Sequence, residues 1–248
     1  MTMKTNLYVI SWKRAETIGA LDSFILKHGH FVIHAEEEED YRRNGARQIV
    51  IQNPSGLVGA RNSALDHAQE CGAACVQIDD DLVKVNRNEC DGIAGDVVPF
   101  EEGYDALIEF TENSPAKLCG VPPTANAFFA KKPVHDNGFI IGSLMIAKPC
   151  DIRFDAALKL KEDYDYTLQH IKEYGLVQRY QKYLYTFKHY NNPGGAVDVR
   201  NDATEQASVM YLLKKWDGAI KIHPRRKNEV MIQSNLHRFM KLPVPSNG

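Results

Sequence analysis

Val76-Gln77-Ile78-Asp79-Asp80-Asp81 is an apolar run that ends in three consecutive carboxylates. Adjacent Asp side chains repel one another, so a strand that stops on three of them gains from a nearby cation. Alternation along a strand sends Asp79 and Asp81 to one side and Asp80 to the other. Oxygens in this position suit a hard divalent cation. Mg²⁺ or Mn²⁺ is usually held by one or two protein carboxylates, with substrate phosphates and water completing the shell. The stretch therefore predicts metal-assisted chemistry on a diphosphate. The competing reading of an isolated Asp triplet is a solvated acidic turn.

The chain before the triplet alternates strand and helix. Leu7–Ile10 reads as a first strand, ending at Ser11 with Arg14 just beyond. A helical pattern covers Ala15–His28, and Phe31–Ile33 is a second strand that leads to Glu36. Gln48–Ile51 is a third strand, Ala60–Cys71 a helix, and Ala74–Ile78 the strand that carries the triplet. This alternation predicts βαβ units and a mostly parallel sheet flanked by helices. Such sheets bind ligands outside the carboxyl ends of their strands. Ser11, Glu36 and the Asp triplet all fall at such ends, so they point to one crevice.

After the triplet the pattern changes. Asn86–Val98 reads as a polar loop and Tyr104–Asn113 as a helix. Leu118–Pro123 and Ala127–Ala130 read as short strands, and Phe139–Ala147 as a long one. A helix from about Tyr164 to Tyr174, a strand Tyr183–His189 and a helix Ala203–Trp216 follow. The expected organisation is one domain over 1–248. It has a nucleotide-binding half (1–85), an acceptor half with a smaller mixed sheet (86–190), and a C-terminal lid and basic segment (191–248).

Composition bounds the class. The chain has 248 residues, 44% hydrophobic and 25% charged, which fits one globular α/β domain. No apolar run approaches the roughly 20 residues of a membrane span. Met1–Thr5 runs straight into a strand with no signal-peptide pattern, and the five scattered cysteines read as reduced thiols. A cytoplasmic protein is the expectation. The net charge is −2, which does not announce a nucleic-acid binder. From Tyr211 onward, however, eight Lys/Arg stand against Asp217 and Glu229, a local excess able to attract a phosphate backbone.

In this order the pieces resemble the nucleotide-sugar glycosyltransferases of the GT-A type. Gly59-Ala60-Arg61-Asn62 looks like the Ala-Arg-Asn helix start of glycosyltransferase family 2, and the Asp triplet looks like a D-x-D motif. Gly142–Ile146 resembles the acceptor-side strand, and Glu162-Asp163 the acidic pair heading the next helix. The Ser-x-Lys-Arg start at Ser11, Gln77–Asp81 and Gly194-Gly195 resemble a narrower group, the TET-associated glycosyltransferases. That group, found in phages, is linked to glycosylation of hydroxymethylated pyrimidines in DNA.

The resemblance implies a GT-A-like Rossmann-type fold and a UDP-sugar as donor. It implies Mn²⁺ or Mg²⁺ held by Asp81 and Asp79, with His189 as a further ligand and His223 as its runner-up. Ser11, Arg14, Glu36, Arg61, Asp79 and Asp80 are donor-side candidates. Asp163 is the candidate general base of an inverting transfer, with Glu162 beside it. Asp163 also suits a helix N-cap. The implied acceptor is 5-hydroxymethylpyrimidine in DNA, contacted by the basic C-terminal segment with Lys131 and Lys132. Rival readings are an acceptor of another class, a nucleotidyltransferase, or a non-catalytic nucleic-acid-binding module. The nucleotidyltransferase reading lacks the glycines usual after a first strand, since Ser11-Trp12-Lys13-Arg14 contains none. Neither the sugar nor the oligomeric state follows from the sequence.

Overall fold

A computed structural model describes residues 3–54, 56–188 and 200–236. The first half builds β1 (Thr5–Ile10), α1 (Ser23–His28), β2 (Gly29–Ile33), α2 (Glu38–Arg43) and β3 (Gln48–Ile51). It continues with α3 (Leu57–Glu70) and β4 (Ala74–Asp79). Next come β5 (Leu82–Asn88), β6 (Ala94–Val98), α4 (Phe100–Asn113), β7 (Leu118–Gly120), β8 (Val134–Asp136) and β9 (Leu144–Ala147). The last elements are α5 (Glu162–Tyr174), β10 (Gln178–Tyr180), β11 (Tyr183–Phe187), α6 (Asp202–Lys215), β12 (Ile220–Ile222) and β13 (Val230–Ile232).

Eight strands form one sheet in the order β3-β2-β1-β4-β9-β7-β10-β8. The β3-β2-β1-β4 block is parallel throughout, as is the β7–β10 pair. Antiparallel β9 sits between β4 and β7, and β8 closes the edge. The chain leaves β1 in one direction to build β2 and β3, then returns to lay β4 on its other side. The carboxyl ends of β1 and β4 therefore flank a topological switch point, where open α/β sheets bind ligands.

Both faces of the sheet are covered, as a parallel block requires. Leu7 and Val9 of β1 join one core with Val76, Ile78, Ile25 and Leu107. Tyr8 and Ile10 join the other with Ala64 of α3, Tyr166 and Ile171 of α5, Leu212 of α6 and Trp216 just beyond it. A second sheet, β11-β5-β6, is antiparallel. Its β5 starts immediately after Asp81, so the Asp triplet lies at the junction of the two sheets. A two-stranded hairpin, β12–β13, follows α6.

Several segments depart from the sequence reading. The expected loop 86–98 is largely the antiparallel pair β5 and β6, whose exposed positions include Arg87, Gly95 and Asp96. The expected helix 15–28 breaks at Leu21, because Asp22 caps a new helix by accepting the Phe24 N–H at 2.9 Å. Ala127–Phe129 is a 3₁₀ turn capped by Asn126, not a strand. Of the expected strand 139–147 only β9 forms. The Ile140 N–H is instead satisfied by the Thr167 hydroxyl at 3.1 Å, and the Gly142 N–H by Asp163 at 3.1 Å. Both partners come from α5, so this stretch answers to a helix rather than to a neighbouring strand.

Candidate active site

Asp79 and Asp80 divide as strand alternation requires. Asp80 turns toward β1, where the Ser11 hydroxyl donates to its carboxylate and the Arg14 guanidinium pairs with it. Ser11 Oγ also lies 2.6 Å from the Tyr41 hydroxyl of α2. Burial pushes the Asp80 carboxyl above its ordinary value, with Arg14 and Ser11 pulling the other way. Ser11, Arg14 and Asp80 thus form one cluster that ties the first loop to the end of β4. Asp79 turns to the other side and reaches Arg61 at 3.3 Å. Its side chain keeps 27% exposure. Asp81 is buried, and its carbonyl accepts the Lys188 N–H at 3.1 Å, which joins it to the end of β11.

Arg61 is the centre of the arrangement. It sits in the second turn of α3, buried, with every guanidinium nitrogen engaged. Nε donates to Glu162 at 2.9 Å, Nη1 to the Gly142 carbonyl at 3.0 Å and Gln77 at 3.3 Å, and Nη2 to Asp79. Burial alone would depress its pKa, but Asp79, Glu162 and Asp163 outweigh that and hold it above the ordinary arginine value. The sequence reading expects Arg61 at the nucleotide or pyrophosphate, or paired locally. In the structure its guanidinium joins α3, β4, the 139–143 segment and the head of α5. A side chain at Gly142 would come within 2.6 Å of Nη2, so that glycine leaves the space the guanidinium occupies.

The head of α5 carries the acidic pair. Glu162 is buried against Arg61. Asp163 accepts the Gly142 N–H at 3.1 Å and the Tyr164 N–H at 3.0 Å. Burial and then the Glu162 charge push its pKa up to about 7, while Gly142, Arg61 and Tyr164 restrain the rise. Lys161, just before them, adopts a left-handed conformation with φ 63°. Its ammonium pairs with Glu205 of α6 at 2.8 Å and Glu229 of the last hairpin at 3.2 Å. Asp165 is fully buried and accepts the Trp216 indole N–H at 2.7 Å. The described C-terminal elements therefore brace the acidic pair from both sides. The sequence reading gave no role to Lys161 and did not foresee the brace, because Lys161's partners Glu205 and Glu229 lie far along the chain.

Other expected residues sit farther out. Glu36 is 78% exposed, 3.8 Å from His34. Its neighbour Glu37 is the one that touches the first loop, accepting the Lys13 N–H at 2.7 Å. His223 lies in the β12–β13 turn, where its Nδ1 accepts the Arg225 N–H at 3.1 Å. His189 and Gly194-Gly195 lie outside the described residues. Part of the basic C-terminal charge is matched internally. Lys215 pairs with Asp155 and Asp165, and Lys227 with Asp202. No helix among the described residues is long and apolar enough to cross a membrane. The five cysteines are unpaired thiols.

Among the described residues, no three His, Cys, Asp or Glu side chains converge as a preformed cation cage. The donors present at the end of β4 are the hard carboxylate oxygens of Asp79 and Asp81. That set fits Mg²⁺ or Mn²⁺, which needs only one or two protein carboxylates where substrate phosphates complete the shell.

Comparison with known proteins places the chain. No curated protein matches it. Among solved structures, it is similar to a mannose-1-phosphate geranyltransferase from Thermus thermophilus at 12% identity, with a TM-score of 0.35. The match covers 84% of this chain and 65% of that one, so the chain spans less than two thirds of that protein. A profile of the TET-associated glycosyltransferases matches residues 5–195, well over half the chain. The span takes in the Ser11 loop, Arg61, the Asp triplet and the Glu162-Asp163 pair. The chain belongs to the TET-associated glycosyltransferase family.

Proposed function

We propose that this glycosyltransferase moves a sugar from a UDP-sugar to the hydroxymethyl group of 5-hydroxymethylpyrimidine in DNA, with inversion at the anomeric carbon. The observation that carries the mechanism is Asp163. An inverting transfer needs a base to take the proton from the acceptor hydroxyl as that oxygen attacks. A carboxylate with a pKa near 7 is a far better base than one near 4, and Asp163 reaches that range through burial beside Glu162. The two N–H groups that hold it fix its orientation. Glu162 does not face the acceptor in this reading. It is a positioning residue that raises the basicity of Asp163 and is itself held by Arg61.

On the donor side, Asp81 and Asp79 would hold Mn²⁺ or Mg²⁺ against the diphosphate. The cation supplies charge neutralisation for the departing nucleoside diphosphate. Ser11, Arg14 and Asp80 shape the wall next to the nucleotide, and Glu36 stands at its rim. Placement of the site at the switch point between β1 and β4 supports this division, as does family membership. The halves 1–85 and 86–190 then correspond to donor and acceptor sides of one domain.

The test is transfer of radiolabel from a panel of UDP-sugars to DNA containing 5-hydroxymethylcytosine, with Mn²⁺ or EDTA, for wild type and Asp81→Ala. Label that needs the cation, is absent on unmodified DNA and disappears in the variant supports the reading. Donor hydrolysis with no labelled DNA would retain the glycosyltransferase and discard the acceptor.

A further inference from the structure

Arg179 of β10 is a largely buried cation with no counter-charge among the described residues. Its Nε is inaccessible to water and has no hydrogen-bond partner there. The one hydrogen bond of its guanidinium to the described residues is a long contact from Nη1 to the Phe139 carbonyl at 3.5 Å. A guanidinium in that state is costly to the fold, and such groups are retained where something else supplies the anion. Burial is also the sole influence on its pKa, which falls to about 10.

Its position says what that anion belongs to. Arg179 is in register with Gly120 on one side and His135 of the edge strand on the other. A Cβ at Gly120 would come within 2.6 Å of Ile140, so the 139–143 segment lies close over this part of the sheet. The Arg179 guanidinium lies against Gly138, where an added Cβ would stand 2.7 Å from Nη2. The next residue, Phe139, stacks on Tyr164 at 4.0 Å between ring centroids, and Tyr164 follows Asp163 directly. Arg179 is thus one ring pair away from the proposed base, on the acceptor side and away from the Asp triplet. Asp136 of the edge strand is committed to Gln178 at 2.8 Å. Beyond His135 the surface carries exposed Lys131 and Lys132. Next to them Phe128 and Phe129 are 60% and 67% exposed, with the Lys131 ammonium 4.2 Å from the Phe128 ring. Cations beside exposed aromatic rings match a nucleic-acid strand, which offers phosphates and base faces together.

We propose that Arg179 pairs with a backbone phosphate of the acceptor DNA beside the nucleotide being modified, at the inner end of a track that runs outward through Lys132 and Lys131. This rests on the reading of DNA as acceptor. Arg179 is a positioning residue in this scheme. It sets the register of the strand so that one hydroxymethyl group reaches Asp163.

The experiment compares wild type, Arg179→Gln and Arg179→Lys on a duplex carrying 5-hydroxymethylcytosine. Binding is followed by fluorescence anisotropy over a KCl series, and transfer by steady-state kinetics in both substrates. The expected result for Arg179→Gln is a rise of about tenfold in Kd and KM for DNA, the scale of one charge-assisted hydrogen bond. The slope of log Kd against log salt should shrink by about one. KM for the UDP-sugar should stay at the wild-type value, Arg179→Lys should recover part of the DNA affinity, and the thermal midpoint should not fall. Unchanged DNA affinity and salt slope would overturn the assignment. A lowered midpoint with both KM values raised would overturn it too, by making Arg179 structural. A rise in KM for the donor alone would assign the anion to the nucleotide. Wild type that transfers nothing to DNA would overturn the proposed acceptor, and the assignment with it, in the wild-type arm alone.

Discussion

Asp163→Asn separates a poised base from a simple helix cap. The substitution keeps the shape of the side chain and removes its titration. In the unfolded chain the carboxyl has a pKa of 3.8, and in the folded protein about 7. The folded state therefore holds the proton more tightly. The stability this contributes is complete below pH 3.8 and is lost as pH rises to about 7. Each pH unit in that window costs the wild type about 1.4 kcal/mol. Between pH 5 and pH 7 the sum is roughly 2–3 kcal/mol, and partial water access brings it to about 2 kcal/mol. The Asn variant has no such loss. It does forfeit one hydrogen bond, since its amide N–H₂ must face either Gly142 or Tyr164, at about 1–2 kcal/mol. That penalty is independent of pH and cancels when the two proteins are compared across pH. Urea unfolding at pH 5, 6, 7 and 8 should show the stability difference moving by about 2 kcal/mol in favour of Asp163→Asn. Transfer should fall by about 10²–10⁴-fold in the variant. In the wild type kcat should climb with pH and level off above about 7. A stability difference that stays flat with pH would refute the raised pKa. The flat outcome would mean a carboxylate already ionised at pH 5 and held as an ordinary helix-end cap.

Two further outcomes follow from the same network. Arg61→Met leaves Glu162 and Asp79 without their cation, and should destabilise the fold by about 3–5 kcal/mol in urea titrations. With the restraining charge gone, the rising limb of the pH–rate profile should move to higher pH. Glu162→Gln removes the second-largest influence that raises Asp163, so the same limb should move toward lower pH by about one unit. It should do so with KM for the donor little changed.

The parallel half of the fold was legible because its signal is local. Leu7–Ile10, Phe31–Ile33 and Ala74–Ile78 are short apolar runs buried on both faces, the pattern of strands inside a parallel sheet. The pair β5 and β6 was not legible, because much of it is exposed and its alternation is diluted by Lys84, Arg87, Gly95 and Asp96. Phe139-Ile140-Ile141 misled in the opposite direction. Its apolar content reads as a strand, but the backbone of this segment finds Thr167 and Asp163, more than 20 residues away on a helix. Consecutive carboxylates at a strand end mark the Asp triplet as a candidate site in the sequence alone. Alternation separates Asp79 from Asp80. What the sequence could not show is which partners each meets, Ser11 and Arg14 for Asp80 and Arg61 for Asp79.

Arg61 shows most clearly why local reading runs out, and what the folded site gains. Its helix-start position suggests a ligand contact, because helix N-termini favour anions. Its actual partners are Glu162, 101 positions on, and the Gly142 carbonyl, 81 positions on. One guanidinium is thereby set against three carboxylates, those of Asp79, Glu162 and Asp163. A buried site does not tolerate that surplus, so each acid must find its own balance. Glu162 takes the Nε bond and is neutralised by contact. Asp79 keeps partial access to water at the end of β4. Among the described residues Asp163 has two backbone N–H groups and the more distant Arg61 charge against burial and an unfavourable neighbour, so it balances by holding a proton until about pH 7. The clamp that fixes the geometry and the imbalance that makes Asp163 basic are therefore the same arrangement. A second cation beside Glu162 would quiet the base, and removing that acid would do the same from the other side.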